Sequence, residues 1–393
     1  MAKTLLLTGG TGFIGSHLAA RLLQEGHFIY FFARGDRNLG AQGRILQALA
    51  PLLTPPKDQY RVLEGELTLP LEIAVGKIDE VWHCAASLSF KETQRVKTFA
   101  ANVTGTDNLL RFIERNGIGR LHHVSTAYVV GDRGGVARED ELERGQRFHN
   151  PYEESKMRAE QSVRRWSVET GGRATIYRPS IIVGNSQTGF APKDGGYHTC
   201  ARYFFAKRQI LEADLRNNPG FYEGSGITAG DGVLHLPVYF PGMPETLVNI
   251  LPVDFAVEAI LECSQSDGTF HITNSKPIRL DRLVRMTMES IGISGVAVGG
   301  ASCGNHPAVF QLNEQTKQVV KYFQPYAAYG ADSPIFDQTN TARILGRPLQ
   351  FEITEPFLRC ILSSVSEARP PSRKKSSDNA NGRKRPAQRL SIS

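Results

Sequence analysis

The stretch Lys3 to Gly15, KTLLLTGGTGFIG, restricts the fold more than any other part of the chain. Leu5, Leu6 and Leu7 make an apolar run of the length a buried parallel strand needs. Gly9, Gly12 and Gly15 follow at intervals of three, and Ser16–Gln24 then carries a helical pattern. Strand, glycine turn and helix in that order aim backbone N–H groups and a helix N-terminus at a pyrophosphate. The glycines permit a tight turn, close approach of the ligand, and close contact between helix and strand. Thr8, Gly9, Gly12, Phe13, Ile14 and Gly15 are therefore candidate dinucleotide contacts.

The spacing is not the GxGxxG of the two-domain dehydrogenases. TGGTGFIG resembles the turn of the extended short-chain dehydrogenase/reductase (SDR) superfamily. The chain has 393 residues and 40% hydrophobic content, enough for one large α/β domain or two unequal ones. No apolar run reaches the ~18 residues of a membrane span. Lys3 and its leucines look briefly like a signal sequence, but the run is short and leads straight into the turn, so it reads as the first strand. Cys84, Cys200, Cys263, Cys303 and Cys360 are scattered without a CxxC. They read as reduced thiols of a cytoplasmic protein, neither a disulfide frame nor a metal site.

Net charge is +7 and unevenly placed. From Ser363 onward the chain is rich in Arg, Lys, Pro, Ser and Asn, with Glu367 and Asp378 as its acids. Residues 363–393 are expected to be a disordered tail with weak contacts to acidic surfaces. A basic patch for nuclear import or nucleic acid is the second reading of RKKSSDNANGRKR. Residues 1–184 read as a dinucleotide-binding domain of Rossmann type, a doubly wound parallel α/β sheet. Residues 185–362 read as a smaller substrate-binding subdomain whose strands return to the core near 245–275.

His27–Ala33 is predicted as the second strand. An NAD site would place an acid at its end, for the ribose 2′-hydroxyl. Here Arg34 and Arg37 surround Asp36, and the arginines suit a 2′-phosphate, which points to NADPH. A helix over Arg44–Leu53 and a strand over Tyr60–Leu63 follow, the latter ending in Gly65-Glu66-Leu67. SDR relatives usually carry an aspartate at the middle of those three, touching the adenine edge, so the resemblance assigns Glu66 and Leu67 to that end. Glu80–Ala86 is predicted as the fourth strand, with Ala85 and Ala86 small enough for the backbone to pass beside a cofactor. His83 and Cys84 read as core residues of that strand.

The remaining site residues come from the SDR resemblance. NVTGT resembles the helix whose asparagine, here Asn102, supports the active-site network. His122–Val130 (HHVSTAYVV) is predicted as the fifth strand, with Thr126 at the position of the catalytic Ser/Thr and Ser125 pointing to the opposite face. NPYEESK carries a YxxxK pair, and four residues on a helix bring Tyr152 and Lys156 to one side. RPSIIVG matches the stretch that passes beneath the nicotinamide in SDRs, which implicates Pro179 and Ile182. Asp254 in NILPVDF is first an N-cap candidate for the helix that follows.

Tyr has a pKa of about 10, too high for proton exchange at neutral pH. The Lys156 cation favours its phenolate. Tyr152 can then exchange a proton with an oxygen held also by Thr126, while hydride moves between substrate carbon and nicotinamide. Lys156 also reaches the ribose in related enzymes.

Five stretches together resemble the thioester-reductase and fatty acyl-CoA reductase branch of the extended SDRs, the male-sterility type. They are GGTGFIG, HCAASLSF with NVTGT, HHVSTAYVVG with NPYEESK, YRPSIIVG with NSQTG, and NILPVDF with TFHITN. The similarity runs from about residue 3 to residue 290. It implies an NADPH-dependent reduction of an acyl thioester, CoA-linked or carrier-bound, to an aldehyde or alcohol. A nucleotide-sugar epimerase or dehydratase, or a hydroxysteroid dehydrogenase, stands on the same scaffold. A non-catalytic NADP-sensing protein is the third reading, against which stand Tyr152 and Lys156.

Overall fold

A computed structural model of the chain describes residues 1–191, 196–299, 306–320 and 334–366. Its centre is a seven-stranded sheet in the order β7-β6-β5-β4-β1-β2-β3. The strands are β1 (Thr4–Thr8), β2 (Phe28–Ala33), β3 (Tyr60–Glu64), β4 (Glu80–His83), β5 (Arg120–Val124), β6 (Arg173–Pro179) and β7 (Gly268–Ile272). Every neighbouring pair is parallel. The chain runs outward from β1 to β3, then crosses to the other side of β1 with β4. That reversal leaves a crevice beyond the C-terminal ends of β1 and β4.

Both faces of the sheet are covered, which is why β1 is apolar without alternation. Leu5 and Leu7 pack with α1 (Phe13–Gln24), α2 (Ala41–Leu49) and, from much later in the chain, α7 (Val253–Cys263). Leu6 packs on the other face with α4 (Gly105–Arg115) and α5 (Pro151–Thr170), and the short α3 (Arg95–Phe99) lies against α5. A second core gathers Phe204 of α6 (Gly196–Asn217), Leu283 of α8 (Leu280–Ser290) and Leu358 of the helix Glu355–Ser366.

Several boundaries differ from expectation. The strand predicted to Val130 stops at Val124. Beyond it, Ala127–Val130 forms a 3-10 turn whose start is capped by the Thr126 hydroxyl, accepting from Tyr128 N at 3.3 Å. A short polar side chain competing for the backbone outweighs the β-branched run. The fourth strand ends at His83, because Cys84 and Ala85 pass directly under Gly9. Asp254 is not the cap of α7: Pro252 holds that position, and the carboxylate accepts Ser186 N at 2.9 Å, fastening the loop after β6. Cys84, Cys200, Cys263 and Cys360 are free thiols, and Cys303 lies outside the described residues. The last described helix runs to Ser366, so the expected tail starts in helix and its remainder is also outside them. Among the described residues no helix is long and apolar enough to cross a membrane.

Arg178 of β6 and Glu160 of α5 tie sheet to helix. Their side chains are 2% and 0% exposed and meet at 2.6 Å. Arg178 also donates to the Glu141 carbonyl at 2.7 Å, and Glu160 accepts from Arg164 and Ser125. Removing one partner of such a pair strands a buried charge, whereas neutralising both does not. Arg178→Met should therefore lower unfolding free energy by about 3–5 kcal/mol, read from urea curves at pH 7. Arg178→Met with Glu160→Gln should recover much of that loss. Equal losses in both proteins would assign the cost to packing.

Candidate active site

The crevice is about 1070 Å³ and begins at the glycine turn. Gly9 has φ +76°, and a Cβ there would strike the backbone of Cys84 and Ala85. A Cβ on Gly15 would strike the Gly9 carbonyl. No side chain caps the N-terminus of α1 and its first turn holds no acid. A dinucleotide's pyrophosphate fits that cradle, where amides and the helix dipole are unopposed.

Of the candidate residues taken from the sequence, Gly9, Gly12, Phe13, Ile14, Gly15, Arg34, Glu66, Leu67, Ala85, Ala86, Thr126, Tyr152, Lys156, Pro179 and Ile182 all line the crevice. Thr8, Arg37 and Asn102 do not. Arg37 is exposed in the loop after β2. Arg44 of α2, which sequence reasoning missed, lines the crevice. Arg44 donates to the Arg34 carbonyl at 2.6 Å and pairs with Asp36 at 3.3 Å. Asp36 is turned away from the crevice, accepting from Asn38 N and Leu39 N at 2.8 and 2.9 Å. Those amides hold its carboxyl below the usual range. Glu66 meets Arg34 at 3.4 Å, an exposed pair of small energetic worth.

Thr8 and Asn102 belong to a buried chain of hydrogen bonds beneath the crevice. Thr106 Oγ1 donates to the Asn102 carbonyl at 2.6 Å, so it accepts from His83 Nε2 at 3.0 Å. That assigns the proton of His83 to Nε2, leaving Nδ1 to accept from Thr8 Oγ1 at 2.7 Å. Burial pushes His83 down to about 3, so it stays neutral. Thr8 Oγ1 in turn accepts from Ala85 N at 3.3 Å. Asn102 lies in a π-helical turn, Ala100–Thr104. Its amide accepts from Ser87 N at 2.6 Å, and donates to Ser87 O at 3.0 Å and to Ser155 Oγ at 2.9 Å. Ser155 Oγ donates on to the carbonyl of Tyr152 at 2.9 Å. Asn102 thus positions the loop and helix around the site from below.

The start of α5 sets the phase of the YxxxK pair. Asn150 accepts from Glu153 N at 3.0 Å, Glu153 accepts from Asn150 Nδ2 at 2.6 Å, and Pro151 opens the helix. This reciprocal cap fixes which residues face inward. Tyr152 packs edge-on against Phe90, centroids 5.6 Å apart. Lys156 is 2% exposed and donates to the Val124 carbonyl at 2.6 Å. Burial pushes its ammonium down to about 8, against the attraction of Glu160. Thr126 is 3% exposed, with its hydroxyl 3.4 Å from the Pro179 carbonyl. Ser125 lines the crevice as well, but its hydroxyl donates to Glu160 at 3.0 Å.

Two further polar groups line the same space. Ser180 Oγ and His198 Nε2 are buried without a hydrogen-bond partner. His198, at the start of α6, is pushed down to about 4 by burial and is neutral. Orphaned groups of this kind are costly unless a ligand satisfies them. Ser180 was legible as part of RPSIIVG, whereas nothing around His198 marked it.

The sequence pattern of the male sterility protein family matches residues 7–260. A 3 beta-hydroxysteroid dehydrogenase/Delta 5-->4-isomerase of Mycobacterium tuberculosis is 35% identical over 190 residues, 46% of this chain and 47% of that protein. A UDP-glucose 4-epimerase of Neisseria meningitidis is 30% identical over 177 residues, 42% of this chain and 51% of that one. The chain spans about half the length of these curated relatives. Among solved structures, the terminal R domain from the myxalamid PKS-NRPS biosynthetic pathway has the same fold, with TM-score 0.69 and 24% identity over 93% of this chain and 91% of that one. A thiolation-reductase di-domain from an archaeal non-ribosomal peptide synthetase gives TM-score 0.66 and 20% identity, covering 93% and 76%.

Burial disfavours the charged form of lysine, so Lys156 is a cation below about pH 8 and loses its charge above it. In a ¹⁵N-lysine NMR titration of the coenzyme-free protein, one ammonium should deprotonate near 8, well before the others, and vanish in Lys156→Met. If every lysine titrates above 10, the ammonium is solvated and the site is more open than described.

Proposed function

The chain belongs to the male sterility protein family, an oxidoreductase branch of the extended SDRs with an NAD(P)-binding domain, and from that premise we propose that it reduces an acyl thioester with NADPH. The observation that carries this reading is the chemistry of the crevice around Tyr152. Leu88, Phe90, Tyr128, Ile181 and Tyr197 line it, and beside Lys156 its cations among the described residues are Arg34 and Arg44, which follow β2, where the coenzyme's ribose is expected. A nucleotide sugar brings two phosphates that call for positive partners. An acyl chain and a neutral thioester suit hydrocarbon walls with uncharged donors, which Ser180 and His198 supply. The full-length likeness to reductase-domain folds supports the same choice.

On this reading residues 1–184 hold the coenzyme and 185–362 close over the substrate. The Gly9–Gly15 turn takes the pyrophosphate, while Arg34 and Arg44 take the 2′-phosphate. When bound, NADPH supplies the hydride that reaches the acyl carbon. Tyr152 gives its phenolic proton to the carbonyl oxygen as charge develops there. Thr126 donates a second hydrogen bond to the same oxygen. Lys156 stabilises the phenolate left behind. The resulting hemithioacetal breaks its C–S bond, returning its hydroxyl proton to the Tyr152 phenolate and releasing an aldehyde and a thiolate, which takes a proton from water to become the free thiol.

The direct test is NADPH oxidation against a panel of acyl-CoAs, with free coenzyme A released in step. Dehydrogenation of a 3-hydroxysteroid is the second reading, favoured by the mycobacterial relative and by the same apolar walls. Turnover of a steroid with no thioester reduced would replace the first reading with the second. Tyr152→Phe should lower turnover about 10²–10⁴-fold with coenzyme still bound. Thr126→Ala should cost about 10²–10³-fold, and the double variant far less than the product of the two. Near-normal activity in Tyr152→Phe would show the assignment to be wrong.

Coenzyme choice has its own readout. Arg34→Ala and Arg44→Ala should each weaken NADPH about tenfold or more, the worth of a hydrogen bond to a charged group, and leave NADH unchanged. Equal affinity of the unmutated protein for both coenzymes would remove the phosphate role from these arginines.

A further inference from the structure

A second, much smaller cavity abuts the crevice. It is about 20 Å³, roughly the space of one water molecule. Tyr128 and Ile181 line both spaces, and Thr246, Leu247, Val248, Pro277, Pro334 and Phe336 also wall the small one. Asn249 borders it too, but its amide is paired with the backbone of Asn274 at 2.8 Å on both sides. What faces an occupant is therefore mostly hydrocarbon, with Thr246 the remaining polar wall. The recess ends toward the surface beside Leu247, which is 38% exposed.

Tyr128 is 8% exposed and its ring stands edge-on to Phe336, centroids 5.8 Å apart at 90°. It lies two residues beyond Thr126, and Ile181 lies two beyond Pro179, whose carbonyl faces the Thr126 hydroxyl. Both shared walls thus flank the position where the reacting carbonyl is held. The contact to Thr126 uses the backbone N–H of Tyr128 and not its ring.

We propose that the Tyr128 side chain is a partition that sets the acceptable length of the substrate's alkyl chain, closing an apolar recess that runs from beside Thr126 toward Leu247. The proposal rests on the acyl-thioester reading, and it names where the chain lies. With the ring present, a saturated chain directed away from Thr126 meets Tyr128 and Phe336. With the ring removed, the crevice and recess join, and each further methylene taken out of water is worth about fourfold in affinity.

Tyr128→Ala should raise kcat/KM for hexadecanoyl-CoA relative to butanoyl-CoA at least tenfold, and Tyr128→Phe should keep the unmutated profile. Ile181→Ala opens the same wall from its other side and guards against a folding defect in Tyr128→Ala. Adding Val248→Phe to Tyr128→Ala refills the recess and should cancel the gain. A parallel readout that needs no thioester chemistry is calorimetric binding of 2-alkanones of rising length in the presence of NADP⁺. Affinity should stop rising at a shorter chain in the unmutated protein than in Tyr128→Ala. If acyl-CoAs are not reduced but the alkanone profile lengthens as expected, the partition stands and the thioester reading fails. If acyl-CoAs are reduced and no opening variant changes either profile, the partition is overturned while the thioester reading survives. A gain that persists with Val248→Phe also overturns it, because the chain must then lie elsewhere.

Discussion

A line of buried hydrogen bonds joins the two halves of the crevice, and the geometry on both sides depends on it. It starts at Thr8, where the first strand ends, and passes through the neutral ring of His83 to Thr106. From there it continues through Asn102 to Ser87 and Ser155, and so to the backbone of Tyr152. Thr8, His83, Thr106, Asn102 and Ser155 are all buried, and each donor in the line meets an acceptor. In such surroundings a broken link leaves an unsatisfied polar atom, which costs more than the bond was worth. The nucleotide turn and the YxxxK helix, distant in sequence, are thereby held in one register.

Above that line the constraint is space. Glycine at positions 9 and 15 is required because backbone already occupies the volume a side chain would fill. The fourth strand ends early for the same reason. Electrostatics then grade the crevice from end to end: two arginines at one extreme, an uncapped helix start in the middle, and at the other a single buried ammonium among rings and aliphatic chains. Such a gradient orients a ligand that is anionic at one end and neutral at the other.

The sequence exposed whatever follows from local pattern. Leu5–Leu7, the glycine spacing, the Asn150-Pro151 start of the YxxxK helix and the Arg178-Pro179 strand end are all short-range signals, and the structure sets them around one crevice. What stayed hidden depends on partners far away in the chain. Arg44 looks like an ordinary helix residue until the loop after the second strand folds back onto it. Asp254 looks like a cap until Ser186 arrives from 68 positions earlier. Asn102 reads as a catalytic group by analogy, yet it holds the site from below without reaching it. His198 gives no signal at all, since a histidine in an amphipathic helix is indistinguishable from any other until its burial is seen. The end of the fifth strand was missed because a hydroxyl competing for one amide is a weaker pattern than the run of β-branched residues containing it.

The edge strand Gly268–Ile272 and the helix Val253–Cys263 join the central sheet only after the chain has left it to build the region around the second core. That region is accordingly built from two stretches of chain, one before the helix Val253–Cys263 and one after the strand Gly268–Ile272, and is not an appendage on a finished domain. A chain cut after the YRPSIIVG stretch would lack its outermost strand and one helix of its covering layer, leaving strand edge and apolar surface bare. Modular exchange of the substrate-binding part between relatives would then require grafting two separate segments, one on each side of the returning helix and strand, and a simple fusion at one junction would yield a sheet open to aggregation.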